Sequence, residues 1–514
     1  MKYPNPSPIS RRKAVGLLGF GILAAQFPFA CTSGKEKLSD VEKQSLHYLT
    51  LAEVAELIKS GRISSEEVTE IILNRIAALD AKLNSYITVM SESALNTARM
   101  LDKELAAGKY RGSLHGVPIG IKDLLFTTNA PTSMGHSFLK NFMAPYNATL
   151  VDKLQNAGAV IVGKLNQTEG AMGGYSDAFK VPRNPWGEDL WTGVSSSGSG
   201  SATAAGLCFG SIGSDTGGSI RFPSVANGIV GLKPTYGLVS KYGAMTLSDS
   251  LDHLGPMTRS TLDAAIMLDA MAGYDENDPH SLQTETKMSA VASIKEGMKG
   301  MRIGIDHDYA KDGVDPKLSA AIENAVEKMK ELGAVIVPFK MPGNQQEMQD
   351  AWFQIASKEA LDANKETFPS QKSEYGNYFA GFLEIGSSVT PEQYQHALQL
   401  KENFKNEFRN SLSQVDAFVA PAGGMCKGVN DNLWRAKFGE DVIAKFNEDL
   451  DLQFGGPADL AGIPALTMPC GKAEDGFPPY GFQLMGGALT EATLLRIGYA
   501  YEQATEWHTQ HPSL

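Results

Sequence analysis

Two serine-rich blocks and one lysine supply the residue types that nucleophilic catalysis needs. The first block is Gly193-Val-Ser-Ser-Ser-Gly-Ser-Gly-Ser201, and the second is Gly213-Ser-Asp-Thr-Gly-Gly-Ser-Ile-Arg-Phe-Pro-Ser224. A serine hydroxyl is a weak nucleophile that needs a base, and a lysine amine can take the place of the more familiar histidine. Lys122 follows an apolar run upstream of both blocks. Together these segments predict a serine nucleophile activated by a lysine.

A lysine can act as this base only when it is uncharged. Lowering its pKa from about 10.4 to about 7 takes roughly 5 kcal/mol of destabilisation of the ammonium form, which burial can supply. The sequence around Lys122 is apolar at Val117, Ile119, Ile121, Leu124 and Leu125. We therefore expect a desolvated lysine at the end of a buried strand.

The elements that must position these residues alternate between helical and β patterns. With 514 residues, 42% of them hydrophobic, the chain can bury a large core. The alternation predicts an α/β fold, a sheet covered by helices, and the Ser- and Gly-rich stretch 195–223 is predicted to bring backbone amides close to a ligand. The predicted helices are 51–58, 65–79, 151–156, 260–272, 316–332 and 491–505, and the predicted strands are 117–121, 159–162, 301–305, 335–338, 415–421 and 465–469.

Two segments near the C-terminus have a different character. Residues 342–413 are polar and helical in pattern, like an insertion that shapes or caps a cleft. His508 and His511 lie close to the chain end, where we expect a frayed, solvated tail rather than a metal site.

Several other chemistries are disfavoured. The run Gly158-Ala-Val-Ile-Val-Gly-Lys164 resembles a phosphate-binding loop, but Leu165 stands where Ser or Thr must hold magnesium, which favours a strand. The serine cluster also lacks the closing glycine of a nucleophile elbow. The four cysteines have no CxxC spacing and no HExxH pair occurs, so neither a metal nor an organic cofactor is predicted. A net charge of −12 with scattered Lys and Arg disfavours a nucleic-acid partner.

The N-terminus has the pattern of a targeting segment. Arg11 and Arg12 precede an apolar stretch at 14–29 that is too short for a spanning helix, as in a twin-arginine export signal. An ordinary secretory signal or an uncleaved anchor is the alternative. Cys31 resembles a lipoprotein cleavage site, so we expect residues 1–31 to be a signal and a lipid to be a candidate membrane tether. The protein is then an exported bacterial one, periplasmic or lipid-anchored.

The remaining chain is divided by composition. Residues 32–45 are polar and are predicted to form a tether, and residues 46–514 are predicted to form the folded domain.

The two blocks and the lysine segment Gly116-Val-Pro-Ile-Gly-Ile-Lys122-Asp closely resemble the amidase signature family. The similarity includes Gly231-Leu-Lys-Pro-Thr235 and Leu251-Asp-His-Leu-Gly-Pro256, and it covers nearly everything from about residue 49 to the end. It implies a single large α/β domain with a mixed central sheet covered by helices on both sides. In such a domain, residues 285–415 would form the variable wall of the substrate cleft.

The resemblance also implies roles for particular residues. Ser219 matches the nucleophile, Ser195 the bridging serine that follows a cis peptide bond, and Lys122 the base. The spacing of 24 positions between the two serines favours Ser195, although Ser196 or Ser197 could also serve. The implied oxyanion hole consists of the backbone amides of Thr216, Gly217, Gly218 and Ser219.

Neighbouring residues receive lesser roles. Asp215 and Arg221 are expected to hold the loop by ion pairing and hydrogen bonds. The stretch Ala171, Met172 and Gly173 matches a family segment near the acyl pocket, with a packing role as the alternative. Three histidines would be candidate bases only if the lysine fails as one, namely His115, His136 and His253.

Three functions remain open at this point. The first is an amidase that hydrolyses a carboxamide C–N bond of a small amide or peptide amide, through an acyl-enzyme and with release of ammonia or amine. The second is the A subunit of a glutamyl-tRNA amidotransferase, which the export signal disfavours. The third is a binding lipoprotein without catalysis, although no residue of the implied triad is missing.

Overall fold

The structure is a computed structural model that describes residues 37–187, 190–283, 289–422, 452–471 and 478–514. Residues 37–514 form one compact unit. The predicted export signal, Cys31 and positions 285–288 of the predicted cleft wall lie outside the described residues.

A mixed β-sheet forms the centre of this unit. Its strand order is β1-β3-β2-β4-β6-β5-β10-β11-β9-β7-β8. Strand β2 is parallel to β3 and β4, and β7 is parallel to β8 and β9, whereas the other neighbouring pairs are antiparallel. The strands are β1 Tyr86–Val89, β2 Pro118–Lys122, β3 Val160–Leu165, β4 Gly210–Asp215, β5 Val230–Lys233, β6 His253–Thr258, β7 Arg302–Ile305, β8 Val335–Pro338, β9 Ala417–Pro421, β10 Ala465–Cys470 and β11 Tyr480–Met485.

Helices cover the sheet on both sides. Successive side chains of a strand point to opposite faces, and every residue of β2, β3 and β4 is buried, so both faces of the sheet centre are shielded from solvent. The helices are α1 Asp40–Ser45, α2 Leu51–Lys59, α3 Ser65–Leu83, α4 Ser91–Ala106, α5 Thr149–Asn156, α6 Ser197–Ala204, α7 Arg221–Asn227, α8 Thr261–Met271, α9 Ala290–Ser293, α10 Pro316–Glu331, α11 Gln345–Ala363, α12 Asn377–Ser388, α13 Pro391–Leu412, α14 Leu452–Leu460 and α15 Glu491–Glu502.

Most predicted elements are present within a few residues of their expected bounds. Ser64 caps α3, with its hydroxyl accepting from Glu67 N and the Glu67 carboxylate accepting from Ser64 N. The phosphate-loop look-alike is strand β3. The polar stretch 342–413 contains the helices α11, α12 and α13. The mixed sheet covered by helices is therefore confirmed.

Two expectations about the chain ends are wrong. Residues 37–45 of the predicted tether fold onto the domain, since Leu38 is buried and Lys43 Nζ lies 3.0 Å from Glu67 Oε1. The C-terminal tail is packed rather than solvated, because His511 stacks on Tyr48 with ring centroids 4.3 Å apart. Burial lowers the pKa of His511 to about 4. Both segments are polar, which suggested that they face solvent, and their contacts are with residues far away in the sequence.

The glycine-rich stretch packs unusually close to its neighbours. Helix α6 has the sequence SGSGSATA, and all eight residues are buried. A Cβ at Gly198 would lie 2.5 Å from the carbonyl oxygens of Asn166 and Ser85, so only glycine fits there. Small residues thus allow α6 to lie directly against the backbone just after β3 and just before β1. No helix in the described ranges is long and apolar enough to cross a membrane.

Candidate active site

Lys122 is the last residue of β2, and its amine lies among serine hydroxyls in the interior. The side chain is fully buried. Its Nζ lies 2.6 Å from Ser195 Oγ, 2.8 Å from Ser214 Oγ and 3.0 Å from Ser196 Oγ. A neutral amine has two N–H donors and one lone pair, which is enough for these three partners without a net charge. The fold therefore brings the lysine segment and both serine blocks together.

Burial sets the protonation of this lysine. It lowers the pKa of Lys122 from 10.5 to about 7, while the carboxylates of Asp215 and Asp252 act in the opposite direction. A shift of this size corresponds to about 5 kcal/mol of destabilisation of the ammonium form. A large fraction of the amine is consequently neutral near pH 7 and can accept a proton.

The three consecutive serines have different partners. Ser197 Oγ accepts from Tyr175 Oη at 2.7 Å and lies away from the lysine contacts. Ser196 Oγ is tied to the β4 backbone, since it accepts from Ser214 N and donates to Ser214 O, both at 3.2 Å. Ser195 Oγ contacts Lys122 at the shortest of the three distances. The peptide bond between Val194 and Ser195 is cis, where the family resemblance implies one.

Ser219 lies beside this cluster, at the N-terminal approach to α7. It is 8% exposed, and its carbonyl accepts from Ser196 N at 3.3 Å, which joins the two serine blocks. Among the described residues, no hydrogen bond links the hydroxyls of Ser219 and Ser195. For a direct proton transfer between them, the two hydroxyls would have to come into hydrogen-bond contact.

The backbone of residues 216–219, which we call the oxyanion loop, is held at three consecutive peptide groups. Gly218 N donates to Asp215 Oδ1 at 2.6 Å. The Gly218 carbonyl accepts from Phe222 N at 2.6 Å, and the Thr216 carbonyl accepts from Trp352 Nε1 at 2.7 Å. The amides of Gly217 and Ser219 donate to no other described residue.

This arrangement corrects one expectation. The resemblance implies the Gly218 amide as an oxyanion donor, but its N–H is occupied by Asp215. Gly217 and Ser219, with Thr216, remain as candidate donors.

A buried ion-pair network anchors the oxyanion loop. Arg221 Nη2 lies 2.9 Å from Asp215 Oδ1 and 2.6 Å from Asp459 Oδ2, and it also donates to the Gly455 carbonyl at 2.9 Å. Burial alone would raise the pKa of Asp215, but the Arg221 guanidinium holds it below its usual range. Asp215 and Arg221 thus have the contacts expected of loop-holding residues, and helix α14 supplies partners that the sequence did not indicate.

The expected acyl-pocket stretch lies close to the lysine cluster. Ala171 and Ser214 line the same small cavity. A Cβ at Gly173 would lie 2.7 Å from the Tyr378 ring, so helix α12 packs directly on this stretch. Met172 is buried, with 5% exposure. These contacts fit a packing role at least as well as substrate contact.

The three histidines have partners of their own. His115 Nε2 contacts the Leu101 carbonyl at 3.0 Å, and His136 Nδ1 contacts Glu169 Oε1 at 3.1 Å. His253 Nδ1 contacts the Leu251 carbonyl at 2.6 Å. The lysine rather than a histidine is therefore the group in contact with the serine hydroxyls. The described ranges hold no cluster of three or more His, Cys, Asp or Glu side chains arranged for a metal ion.

Sequence reasoning missed three residues of this site. Ser214 lies within the second block, but nothing in the sequence distinguishes it from the other serines there. Asp252, whose Oδ1 accepts from Thr216 Oγ1 at 2.7 Å, lies in a segment that carries no sequence signal of this contact. Trp352 belongs to the polar stretch 342–413, and no local signal connects it with the oxyanion loop.

Comparisons with known proteins agree with this geometry. The model of the Amidase family matches residues 67–495. AmiD of Mycobacterium tuberculosis, which is named as a putative amidase, is 38% identical over 92% of this chain and 97% of its own length. The A subunit of the glutamyl-tRNA(Gln) amidotransferase of Chloroflexus aurantiacus is 36% identical over 91% of this chain and 99% of its own. The solved structure of native peptide amidase from Stenotrophomonas maltophilia has a TM-score of 0.78 and 32% identity, and the match covers 90% of this chain and 98% of that one.

The chain belongs to the amidase family. It is an amidohydrolase that acts on C–N bonds.

Proposed function

We propose that the protein hydrolyses carboxamides by a serine–serine–lysine mechanism, with Ser219 as nucleophile, Ser195 as bridge and Lys122 as base. The observation that carries this proposal is the buried Lys122 amine, 2.6 Å from Ser195 Oγ and with a pKa of about 7. An amine in that state accepts a proton near neutral pH and can return it, as a general acid–base catalyst must.

In the first half of the reaction, Ser219 Oγ attacks the carbonyl carbon of the amide. Its proton passes to Ser195 Oγ while the Ser195 proton passes to Lys122 Nζ. Negative charge develops on the carbonyl oxygen and is stabilised by the amides of Gly217 and Ser219. Lys122 then returns its proton through Ser195 to the nitrogen of the substrate, the C–N bond breaks, and ammonia or an amine leaves.

In the second half, water replaces the amine. It attacks the ester carbonyl of the Ser219 acyl-enzyme and loses a proton through the same relay to Lys122. The Ser219 oxygen recovers a proton as the ester bond breaks, which releases a carboxylic acid and restores the free enzyme. The relay therefore runs twice, and the lysine ends each half uncharged.

A small amide or a peptide amide is the proposed substrate class. The likeness to the peptide amidase of Stenotrophomonas maltophilia, at 32% identity, supports it. The direct experiment is an ammonia-release screen of the purified domain over aliphatic amides, aryl amides, peptide C-terminal amides and glutamine-containing peptides. Release from none of them would argue against this class.

A fluorophosphonate phosphonylates an activated serine with loss of fluoride, so it tests the proposed residue roles without a known substrate. Labelling should fall on Ser219 and should be abolished by Ser219→Ala and by Lys122→Met. Ser211→Ala is the matched control, because Ser211 lies on the same strand as Ser214 but its Oγ contacts Thr203 Oγ1 and the Ser199 carbonyl of α6 instead of Lys122. Normal labelling of Lys122→Met would reject the mechanism.

A second candidate is the A subunit of a glutamyl-tRNA amidotransferase. It is favoured by the 36% identity to the Chloroflexus aurantiacus protein over 99% of that protein. Such a protein would work with partner subunits in the cytosol, so the two candidates differ in place and substrate. Free glutamine is therefore assayed beside the screen, and ammonia release from it together with inactivity towards every amide in the screen would favour this alternative.

We also propose that the protein is exported, and that Cys31 carries a lipid which tethers it to a bacterial membrane. The support is the Arg11-Arg12 pair before the apolar stretch 14–29. Replacing both arginines by lysine should keep the precursor in the cytoplasm on cell fractionation. Metabolic labelling with an alkyne fatty acid should mark the wild type and leave Cys31→Ala unmarked, and equal labelling of the two would refute lipidation.

A further inference from the structure

Trp352 connects the predicted cleft wall to the oxyanion loop. It lies on α11 and is 3% exposed, with its Nε1 donating to the Thr216 carbonyl at 2.7 Å. Its ring also packs on the next residue, since a Cβ at Gly217 would lie 2.7 Å from Trp352 Cζ2 and 2.9 Å from Nε1. The indole therefore contacts both halves of a single peptide group, the carbonyl of Thr216 and the α-carbon of Gly217.

That peptide group carries a candidate oxyanion donor. A trans peptide is planar, and its C=O and N–H bonds point in opposite directions. A donor that fixes the Thr216 carbonyl therefore also fixes the direction of the Gly217 N–H, which points away from the indole. The Phe222 amide acts similarly on the Gly218 carbonyl and hence on the Ser219 N–H, but it belongs to the same local helix turn. Trp352 comes from 136 residues further along the chain.

We propose that Trp352 is a positioning residue for the oxyanion hole, and that its indole N–H aims the Gly217 amide at the developing negative charge. The proposal rests on the proposed function, because it assigns the Gly217 amide to a reacting oxygen. Ring packing alone would only exclude side chains at position 217. The hydrogen bond adds a direction, which oxyanion stabilisation requires because donor geometry must be set before the charge forms.

The side chain of Thr216 cannot replace this contact. Its hydroxyl donates to Asp252 at 2.7 Å and so fixes the side chain. The hydrogen bond from Trp352 is therefore what restrains rotation of the peptide plane between Thr216 and Gly217. Without the indole N–H, the Thr216 carbonyl loses its donor while the space beside Gly217 stays filled by any aromatic ring of similar shape.

The test is Trp352→Phe with a fluorophosphonate and with a peptide amide, N-acetylphenylalanine amide. Loss of a whole oxyanion donor costs about 10²–10³ in rate, so misdirecting one donor should lower the maximal labelling rate and kcat by about tenfold or more. The half-saturating concentrations, KI and KM, should change little. The pH at which labelling is half-maximal should also stay as in the wild type, because Trp352 does not contact Lys122.

Two further variants separate the effect of the hydrogen bond from other effects of the substitution. Trp186→Phe removes a similar bond, from Nε1 to the Asn227 carbonyl at 3.0 Å, and should react at the wild-type rate. Benzothienylalanine placed at position 352 keeps the ring shape and replaces only the N–H by sulfur, which covers the case in which Trp352→Phe does not fold. Wild-type rates in either 352 variant, or a raised KM with unchanged kcat, would overturn the proposal. Inertness of Ser219→Ala in the same assay shows that such a failure concerns Trp352 alone.

Discussion

The ionisation of Lys122 should govern how fast the enzyme reacts as the pH falls. In the proposed mechanism, only the neutral amine can accept the proton that leaves Ser219 through Ser195. With a pKa of about 7, half of the amine is neutral at pH 7, about one tenth at pH 6 and about one hundredth at pH 5. We expect kcat/KM and the fluorophosphonate labelling rate to fall about tenfold per pH unit below pH 7 and to level off above pH 8.

Removing a negative charge that acts on Lys122 tests whether this pH dependence comes from that lysine. The Asp252 carboxylate raises the pKa of Lys122, so Asp252→Asn should lower that pKa and shift the acid limb to lower pH. Asparagine can keep the local bonds, since its oxygen can accept from Leu247 N and its amide can donate to the Thr216 hydroxyl. Asp249→Asn is the control, because Asp249 is exposed and pairs with Lys241 and His280 instead.

The assay is labelling by fluorophosphonate across pH 5 to 9 at constant ionic strength, with product followed by intact mass. Labelling reports on the free enzyme, so the inflection is the pKa of a group in the unliganded site. A rate that is flat from pH 5 to 8, or an acid limb that moves to higher pH in Asp252→Asn, would refute the assignment of the base to Lys122.

Three further predictions concern the groups around this lysine. Below pH 7, Lys122→Met should unfold at a higher temperature than the wild type, because the buried ammonium costs the folded wild type about 5 kcal/mol. The difference in Tm should shrink between pH 7 and 10.5. In that range the unfolded wild-type chain still binds the proton that the folded chain has lost, so folding of the wild type becomes more favourable as the pH rises. A constant difference in Tm across that range would contradict it. Ser214→Ala should lower kcat about tenfold, since the amine loses one of three hydroxyl partners, and an unchanged kcat would argue that Ser195 and Ser196 suffice. Arg221→Lys should reduce the free energy of unfolding by about 3–5 kcal/mol, seen as a lower Tm, because one ammonium cannot pair with both Asp215 and Asp459; an unchanged Tm would show that the lysine can.

Much of the fold was predictable because its signals are local. The strand that ends at Lys122 and the helix that begins at Ser65 both follow from the spacing of apolar residues along a short stretch of sequence. No local signal places Ser195 and Ser219 near Lys122, because the three residues are far apart in the sequence. They could be assigned to one site only because the three blocks together resemble a family. Apolar periodicity alone does not say that β2 and β4 are neighbours, yet this pairing places Ser214 against Lys122.

The parts that escaped prediction depend on tertiary contacts between polar atoms. Nothing near Gly218 in the sequence says that its amide is occupied by Asp215, because the turn geometry decides this. The stretch 37–45 looked like a tether because its composition is polar, whereas Leu38 N donates to the Arg62 carbonyl at 3.2 Å and the segment folds onto the domain. A polar composition therefore does not show that a segment is a tether, because hydrogen bonds to residues far away in the sequence can still fix it to the domain.

The oxyanion loop is oriented by groups outside it because its glycines have no side chains. Gly217 and Gly218 let the backbone turn, but without side chains they cannot fix their own direction. Every peptide of the loop is therefore oriented by a group from elsewhere: Asp215 from the preceding strand, Phe222 from the following helix and Trp352 from α11. The first two are inside the signature block and the third is inside the segment expected to vary between relatives. A change of the cleft wall at α11 would then alter catalysis through the Gly217 amide as well as the shape of the substrate site.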